Sequence, residues 1–148
     1  MKKNFIRVRS IKDIVIFSLF IIAGCVLALI PGMDSLNLGG YSLIVIGAVL
    51  ALFLKSAYKD VGTKGTYLKK DLLFPKEMKT TILSALDSTP DSIELSKNGE
   101  SQSLKLELFY SKASGKAYLQ LFEYIPYQYE ACSEIYEYEI NKIEKLLE

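Results

Sequence analysis

The sequence predicts an α+β membrane protein. An N-terminal two-helix transmembrane hairpin is followed by a small α-β-β-β-α domain with a three-stranded antiparallel meander. Three observations predict this. Residues 14–30 and 38–54 are uncharged apolar runs. Lys and Arg flank that pair on both sides and are missing between the runs. Beyond residue 75 the apolar spacing passes from helical to alternating and back.

Residues 1–13 carry Lys2, Lys3, Arg7, Arg9 and Lys12 against Asp13 alone. Each apolar run then holds 17 residues. That is near the lower limit for a ~30 Å hydrocarbon core at ~1.5 Å per helical residue. The polar exceptions are Ser18 in the first run and Tyr41 and Ser42 in the second. A backbone in lipid has to satisfy its own N–H and C=O groups, so such runs are expected to be helical. They are apolar all round, unlike the one-stripe helices of soluble proteins. Gly24 with Ala28, and Gly47 with Ala51, repeat small residues at one-turn spacing and are candidates for close helix packing. Residues 31–37 link the runs with Pro31, Gly32 and Asp34 and no cation.

Lys55, Lys59, Lys64, Lys69 and Lys70 follow the second run. Cations stay on the cytoplasmic side, so both termini are expected inside, as in a multi-pass protein of a bacterial inner membrane. Gly24-Cys25 after a basic leader also resembles a lipoprotein signal. The continuing apolar run through Ile30 argues against lipidation of Cys25. Residues 55–74 read as a juxtamembrane connector, with a turn around Gly62 and Gly65. Its Leu68, Leu72, Leu73 and Phe74 could lie on the membrane or pack on the domain.

A cytoplasmic domain is expected over residues 75–148. Pro75 suits a first helical position, and Met78, Ile82, Leu83 and Leu86 recur at helix spacing. Residues 92–97 alternate as a first strand, and Asn98-Gly99 is a hairpin signal of type I′. Residues 101–112 alternate Leu104, Leu106, Leu108 and Tyr110 against Lys105, Glu107 and Phe109. After Ser114-Gly115, residues 116–125 set Leu119, Leu121 and Ile125 against Tyr118, Gln120, Phe122 and Tyr124. Ser133 then caps an expected last helix, whose stripe is Tyr136, Ile140, Ile143 and Leu147.

Composition excludes several chemistries. The chain of 148 residues has no histidine, so Ser-His and Cys-His catalysis and imidazole metal sites are ruled out. Its two cysteines, Cys25 and Cys132, fall in different environments and make no disulfide framework. Cys132 has no imidazole to serve as its base, and no phosphate loop, calcium loop or zinc motif occurs. No catalytic residue, metal or cofactor is therefore expected. The net charge of +1 conceals a split. Residues 1–70 hold ten Lys/Arg and three acids, whereas residues 71–148 hold eight Lys and fourteen acids. The acidic half has the wrong sign for nucleic acid.

The densest aromatic stretch interleaves tyrosine with glutamate. Tyr124, Tyr127, Tyr129, Glu130, Glu134 and Tyr138 form a candidate surface for a protein partner, because Tyr joins contact area to a polar tip. The same tyrosines could instead complete a small core. The expected function is a membrane-anchored, non-enzymatic interaction or scaffold protein. The alternative is an accessory subunit of a transporter or pore, associating as a homo-oligomer through Gly24 and Gly47.

Overall fold

The computed structural model describes residues 4–148, so Lys2 and Lys3 lie outside the described residues. The chain forms two units. One is Arg7–Ala57; the other is Tyr58–Glu148 with the N-terminal residues up to Ile6.

The first unit is a helical hairpin. Helix α1 spans Ile11–Ala28 and α2 spans Asp34–Phe53. Both are long and apolar enough to cross a membrane, and only 11% of each apolar window is buried. Both begin earlier than the apolar runs predict. Ser10 and Asp13 explain the first case. The Ser10 hydroxyl accepts from the Asp13 amide at 3.1 Å and Asp13 Oδ2 accepts from the Ser10 amide at 2.8 Å, a capping box that starts the helix at Ile11. The same Asp13 oxygen accepts from the Ser56 amide at 2.8 Å, tying the far end of the hairpin to its beginning. Asp13 is 2% exposed, and these donors replace the water it loses.

Helices α1 and α2 run antiparallel and touch through glycines. A Cβ on Gly40 would lie 2.4 Å from the Ala28 nitrogen and 2.6 Å from the Gly24 carbonyl oxygen. One on Gly24 would lie 2.7 Å from the Gly40 oxygen, and one on Gly47 would lie 2.6 Å from the Ile21 side chain. Gly24 therefore packs on Gly40 and Ile44, and Gly47 packs on Phe17 and Ile21, rather than the two glycines facing each other. Ala28 sits against Gly40, while Ala51 accepts a bond from the Arg9 guanidinium through its carbonyl.

The second unit is built on an antiparallel sheet. Its strands are β1 (Phe5–Val8, of which Phe5 and Ile6 belong to this unit), β2 (Ala57–Asp60, in this unit from Tyr58), β3 (Thr66–Phe74), β4 (Leu104–Ser111), β5 (Lys116–Ile125), β6 (Gln128–Ala131) and β7 (Tyr136–Glu139). The order is β1-β2-β3-β4-β5-β6, with β7 also paired to β5. Strands β4 and β5 fall where alternation predicts them. Leu104, Leu106, Leu108, Leu119 and Leu121 are fully buried, with Phe74 and Leu72 of β3 beside them. Helix α3 (Lys79–Asp87) covers this face with Ile82 and Leu86, and Ile143 and Leu146 close it.

Four predicted features are corrected. First, the connector over residues 55–74 is the β2–β3 hairpin. Asp60 organises its turn by accepting from the Thr63 hydroxyl at 2.7 Å and the Gly62 amide at 3.2 Å. Leu72 and Phe74 are core residues, because β3 offers one face to α3.

Second, residues 92–97 are not a strand. They form 3-10 turns at Pro90–Ser92 and Leu95–Lys97. Asn98 has φ −66° and Gly99 has φ +88°, a type II pattern rather than I′. This turn does not join two strands. Asn98 Oδ1 accepts from the Leu73 amide at 2.8 Å and the Gly99 amide donates to the Leu73 carbonyl at 2.8 Å, so the turn docks on β3.

Third, Pro75 is extended and a 3-10 turn, Lys76–Met78, precedes α3. Fourth, the predicted helix capped by Ser133 is absent. Strand β7 stands there, with β6 just before it, and helical backbone is confined to a 3-10 turn at Ile140–Lys142 and to α4 (Glu144–Leu147). The α-β-β-β-α order and three-stranded meander thus give way to a seven-stranded sheet. The physical reason is the edge of β5, whose unpaired N–H and C=O groups are satisfied by residues 128–139.

Ser133 has another task. Phe122 pairs with Ala131, yet Leu119 pairs with Tyr136, so the register slips by two residues between β6 and β7. The Ser133 hydroxyl fills the gap, accepting from the Leu121 amide at 2.9 Å.

Candidate functional site

Alternation gives the sheet two unlike faces. One packs aliphatic side chains under α3. The other carries Lys69, Asp71, Lys105, Glu107, Phe109, Tyr118, Gln120 and Phe122, half-buried except for exposed Asp71 and buried Tyr118, and among the described residues no helix of this unit lies on it. Register brings Lys69 of β3 opposite Phe109 of β4, and Glu107 of β4 opposite Gln120 of β5.

Glu107 is the electrostatic centre of this open face. Lys105 lies 2.7 Å and Lys69 2.8 Å from its carboxylate, and Lys69 also reaches Asp71 at 3.2 Å. Burial works against the Glu107 charge, but the two ammonium groups outweigh it and hold its carboxyl below the ordinary value. For Lys69, desolvation is likewise outweighed, and the bonds to Glu107 and Asp71 raise its pKa. Aromatic rings frame these charges. Lys69 sits 5.6 Å from the Phe109 centroid, and Lys105 sits 5.2 Å from Phe122 and 4.4 Å from Tyr129. Phe5 stacks on Phe109 at 4.0 Å and meets Tyr67 edge-on at 5.4 Å. Phe5, Phe109 and Tyr118, with Glu107, Gln120 and Ile135, line a cleft of about 190 Å³.

The candidate surface read from the sequence is split by this arrangement. Tyr124 and Tyr129 belong to the open face, edge to face at 5.3 Å, and the Tyr129 hydroxyl donates to the Gln102 carbonyl at 2.7 Å. Tyr127 stands at the β5–β6 turn and is 97% exposed. Glu130 accepts from the Gln128 amide at 2.7 Å, and Glu134 is exposed in the slip between β6 and β7. Tyr138 faces the other way, its hydroxyl donating to the Leu86 carbonyl at the end of α3. Its neighbour Tyr136 donates to Asp87 at 2.8 Å, and that bond, with burial second, pushes the phenol up to about 12.

Sequence reasoning missed Lys69, Asp71 and Phe5 because β3 was read as connector and β1 was not anticipated. It also missed Gly40, although Gly39-Gly40 in an apolar run was a visible signal. On the opposite face, Glu123 bridges Lys79 at 2.5 Å and Lys76 at 3.2 Å; these bonds lower its pKa and raise that of Lys79. The Cys132 thiol donates to the Leu121 carbonyl at 3.5 Å, and desolvation raises its pKa, which disfavours the thiolate. Among the described residues, no group of three or more Cys, Asp or Glu could hold a metal ion.

The fold and site together define a mixed helix-and-sheet protein with two N-terminal apolar helices and an antiparallel sheet. No known protein family, curated protein or solved structure matches the chain.

Proposed function

We propose that this is a membrane-anchored, non-enzymatic protein that presents its sheet unit to a protein partner at the cytoplasmic face of a bacterial inner membrane. The observation that carries the reading is the open sheet face. It holds an array of lysines, carboxylates and aromatic rings around a cleft, with no helix of its own unit over it among the described residues. Aromatic residues among satisfied polar groups are the composition of recognition surfaces.

The anchoring half rests on α1 and α2. Side chains such as Leu19, Ile22, Val26, Val45 and Leu52 point outward and are exposed, which water disfavours and lipid tolerates. The cytoplasmic orientation rests on Arg7, Arg9 and Lys12 before the hairpin and Lys55 and Lys59 after it, with no cation in the 31–37 link. The accessory-subunit alternative has less support, because Gly24, Gly40 and Gly47 are occupied inside the hairpin.

Two measurements test the reading. The protein should stay with membranes after alkaline extraction; release into the soluble fraction rejects the anchor. In mild detergent the full chain should co-purify with a protein in fixed ratio, and Phe122→Ser should reduce that yield tenfold without unfolding. A solitary monomer defeats the partner half.

A further inference from the structure

The two ends of the helical hairpin are unlike in charge. The 31–37 link holds Asp34 and no cation, whereas the other end holds Arg7, Arg9, Lys12 and Lys55 against Asp13 alone. Folding gathers these cations from opposite ends of the unit. Asp13 Oδ2 accepts from the Ser56 amide at 2.8 Å, and the Ser10 and Ser56 hydroxyls lie 2.9 Å apart, so the start of α1 meets the residues after α2. That clasp turns the single carboxylate inward, where it takes the Ser10 and Ser56 amides. Arg9 is committed to α2, its guanidinium donating to the Ala51 carbonyl. Arg7, Lys12 and Lys55 remain exposed, and among the described residues none of the three pairs with a carboxylate. Apolar side chains stand within a turn of them. Ile11 beside Lys12 is 81% exposed, and Leu52 and Phe53 before Lys55 are 66% and 78% exposed.

Resting on the anchored reading above, we infer that this end of the hairpin is a binding surface for anionic phospholipid of the cytoplasmic leaflet. Arg7, Lys12 and Lys55 hold the headgroup, and Ile11, Leu52 and Phe53 lie along the acyl chains. Charge and layering together select this occupant. Four cations against one inward-turned acid favour a net negative headgroup over a zwitterionic one. A phospholipid sets its charge directly over hydrocarbon, the same order in which this surface sets cation and apolar side chain. An acidic soluble protein supplies the charge without the hydrocarbon, and a second copy brings like charges and is repelled. Each cation removed should cost about fivefold in preference for anionic lipid.

The experiment places the full chain in nanodiscs of equal parts phosphatidylcholine and phosphatidylglycerol and counts the lipid it retains by native mass spectrometry. Phosphatidylglycerol should exceed phosphatidylcholine at least tenfold. The preference should fall about fivefold in Lys55→Gln, and to near parity when Arg7→Gln, Lys12→Gln and Lys55→Gln are combined, with the helical circular dichroism unchanged. Should the triple variant lose that signal, the Lys55→Gln step decides. Lys142→Gln with Lys145→Gln, exposed cations of the sheet unit, should leave the preference intact. Equal retention of both lipids by the unaltered chain overturns the inference and leaves the anchor standing; a chain that does not enter nanodiscs overturns both. A preference that the triple variant keeps also overturns it. So does abolition of the preference by inorganic phosphate at matched ionic strength, which marks a site for a free anion. Loss of an acidic protein from the triple variant in mild detergent, with lipid preference unchanged, assigns these cations to a protein instead.

Discussion

The helical hairpin and the sheet unit achieve close contact by opposite means. In the hairpin, side chains are deleted: Gly24, Gly40 and Gly47 let one backbone meet the other within distances that exclude a Cβ. In the sheet unit, side chains are added: Leu104, Leu106, Leu108, Leu119 and Leu121 fill the space under α3. On the membrane-anchored reading proposed above, the difference follows from the solvent each unit is built for. Apolar burial drives association strongly in water and little in lipid, where van der Waals fit between backbones takes over.

The comparison can be broken most directly at the sheet. Leu106→Ala should destabilise that unit by about 2–5 kcal/mol, the range for deleting a core leucine. Thermal unfolding followed by near-ultraviolet circular dichroism should show it, with the helical signal of the hairpin retained. A smaller loss, about 1–3 kcal/mol, is expected from Gly40→Val, because its Cβ would meet backbone at Ala28 that cannot swing aside. Spin-label distances between α1 and α2 in detergent should lengthen. Gly39→Ala is the control, since nothing lies within 4 Å of a Cβ there.

Two finer changes sharpen the contrast between the sheet faces. Tyr138→Phe removes the hydroxyl that Leu86 accepts and should cost about 0.5–1.5 kcal/mol in denaturant unfolding. Glu107→Gln should cost about 1 kcal/mol, leaving Lys69 and Lys105 without their shared carboxylate. It should also flatten the acid limb of the stability curve. The Glu107 pKa is lowered by folding, so its contribution is present above its unfolded value, about 4.3, and is lost as pH falls through the folded one.

Much of the fold was legible because single signals were unopposed. Residues 104–111 and 116–125 alternate cleanly, and each lies where the pattern puts it. The apolar runs are helices for the same reason. The misread segments each carried two signals. Tyr136, Ile140 and Ile143 fit a helix stripe, while Tyr136-Glu137-Tyr138-Glu139 alternates; the open edge of β5 decided for the strand. In β3, Leu72-Leu73-Phe74 hides the alternation that Tyr67, Lys69 and Asp71 keep on the other face. The candidate surface was half legible. Tyr124 could be placed on its face by period, but Tyr129 reaches that face only through the β5–β6 pairing, and Lys69 and Phe5 arrive from distant sequence.

The slip between β6 and β7 bears on the protein's behaviour in a crowded solution. Residues 128–139 would otherwise offer a continuous ladder of free amides and carbonyls along the sheet margin, a template for another chain to extend. With Ser133 turned inward to Leu121, the margin is cut into two short rungs out of step with each other. An invading strand in register with one is out of register with the other, so fibril growth from this side is blocked where it would begin.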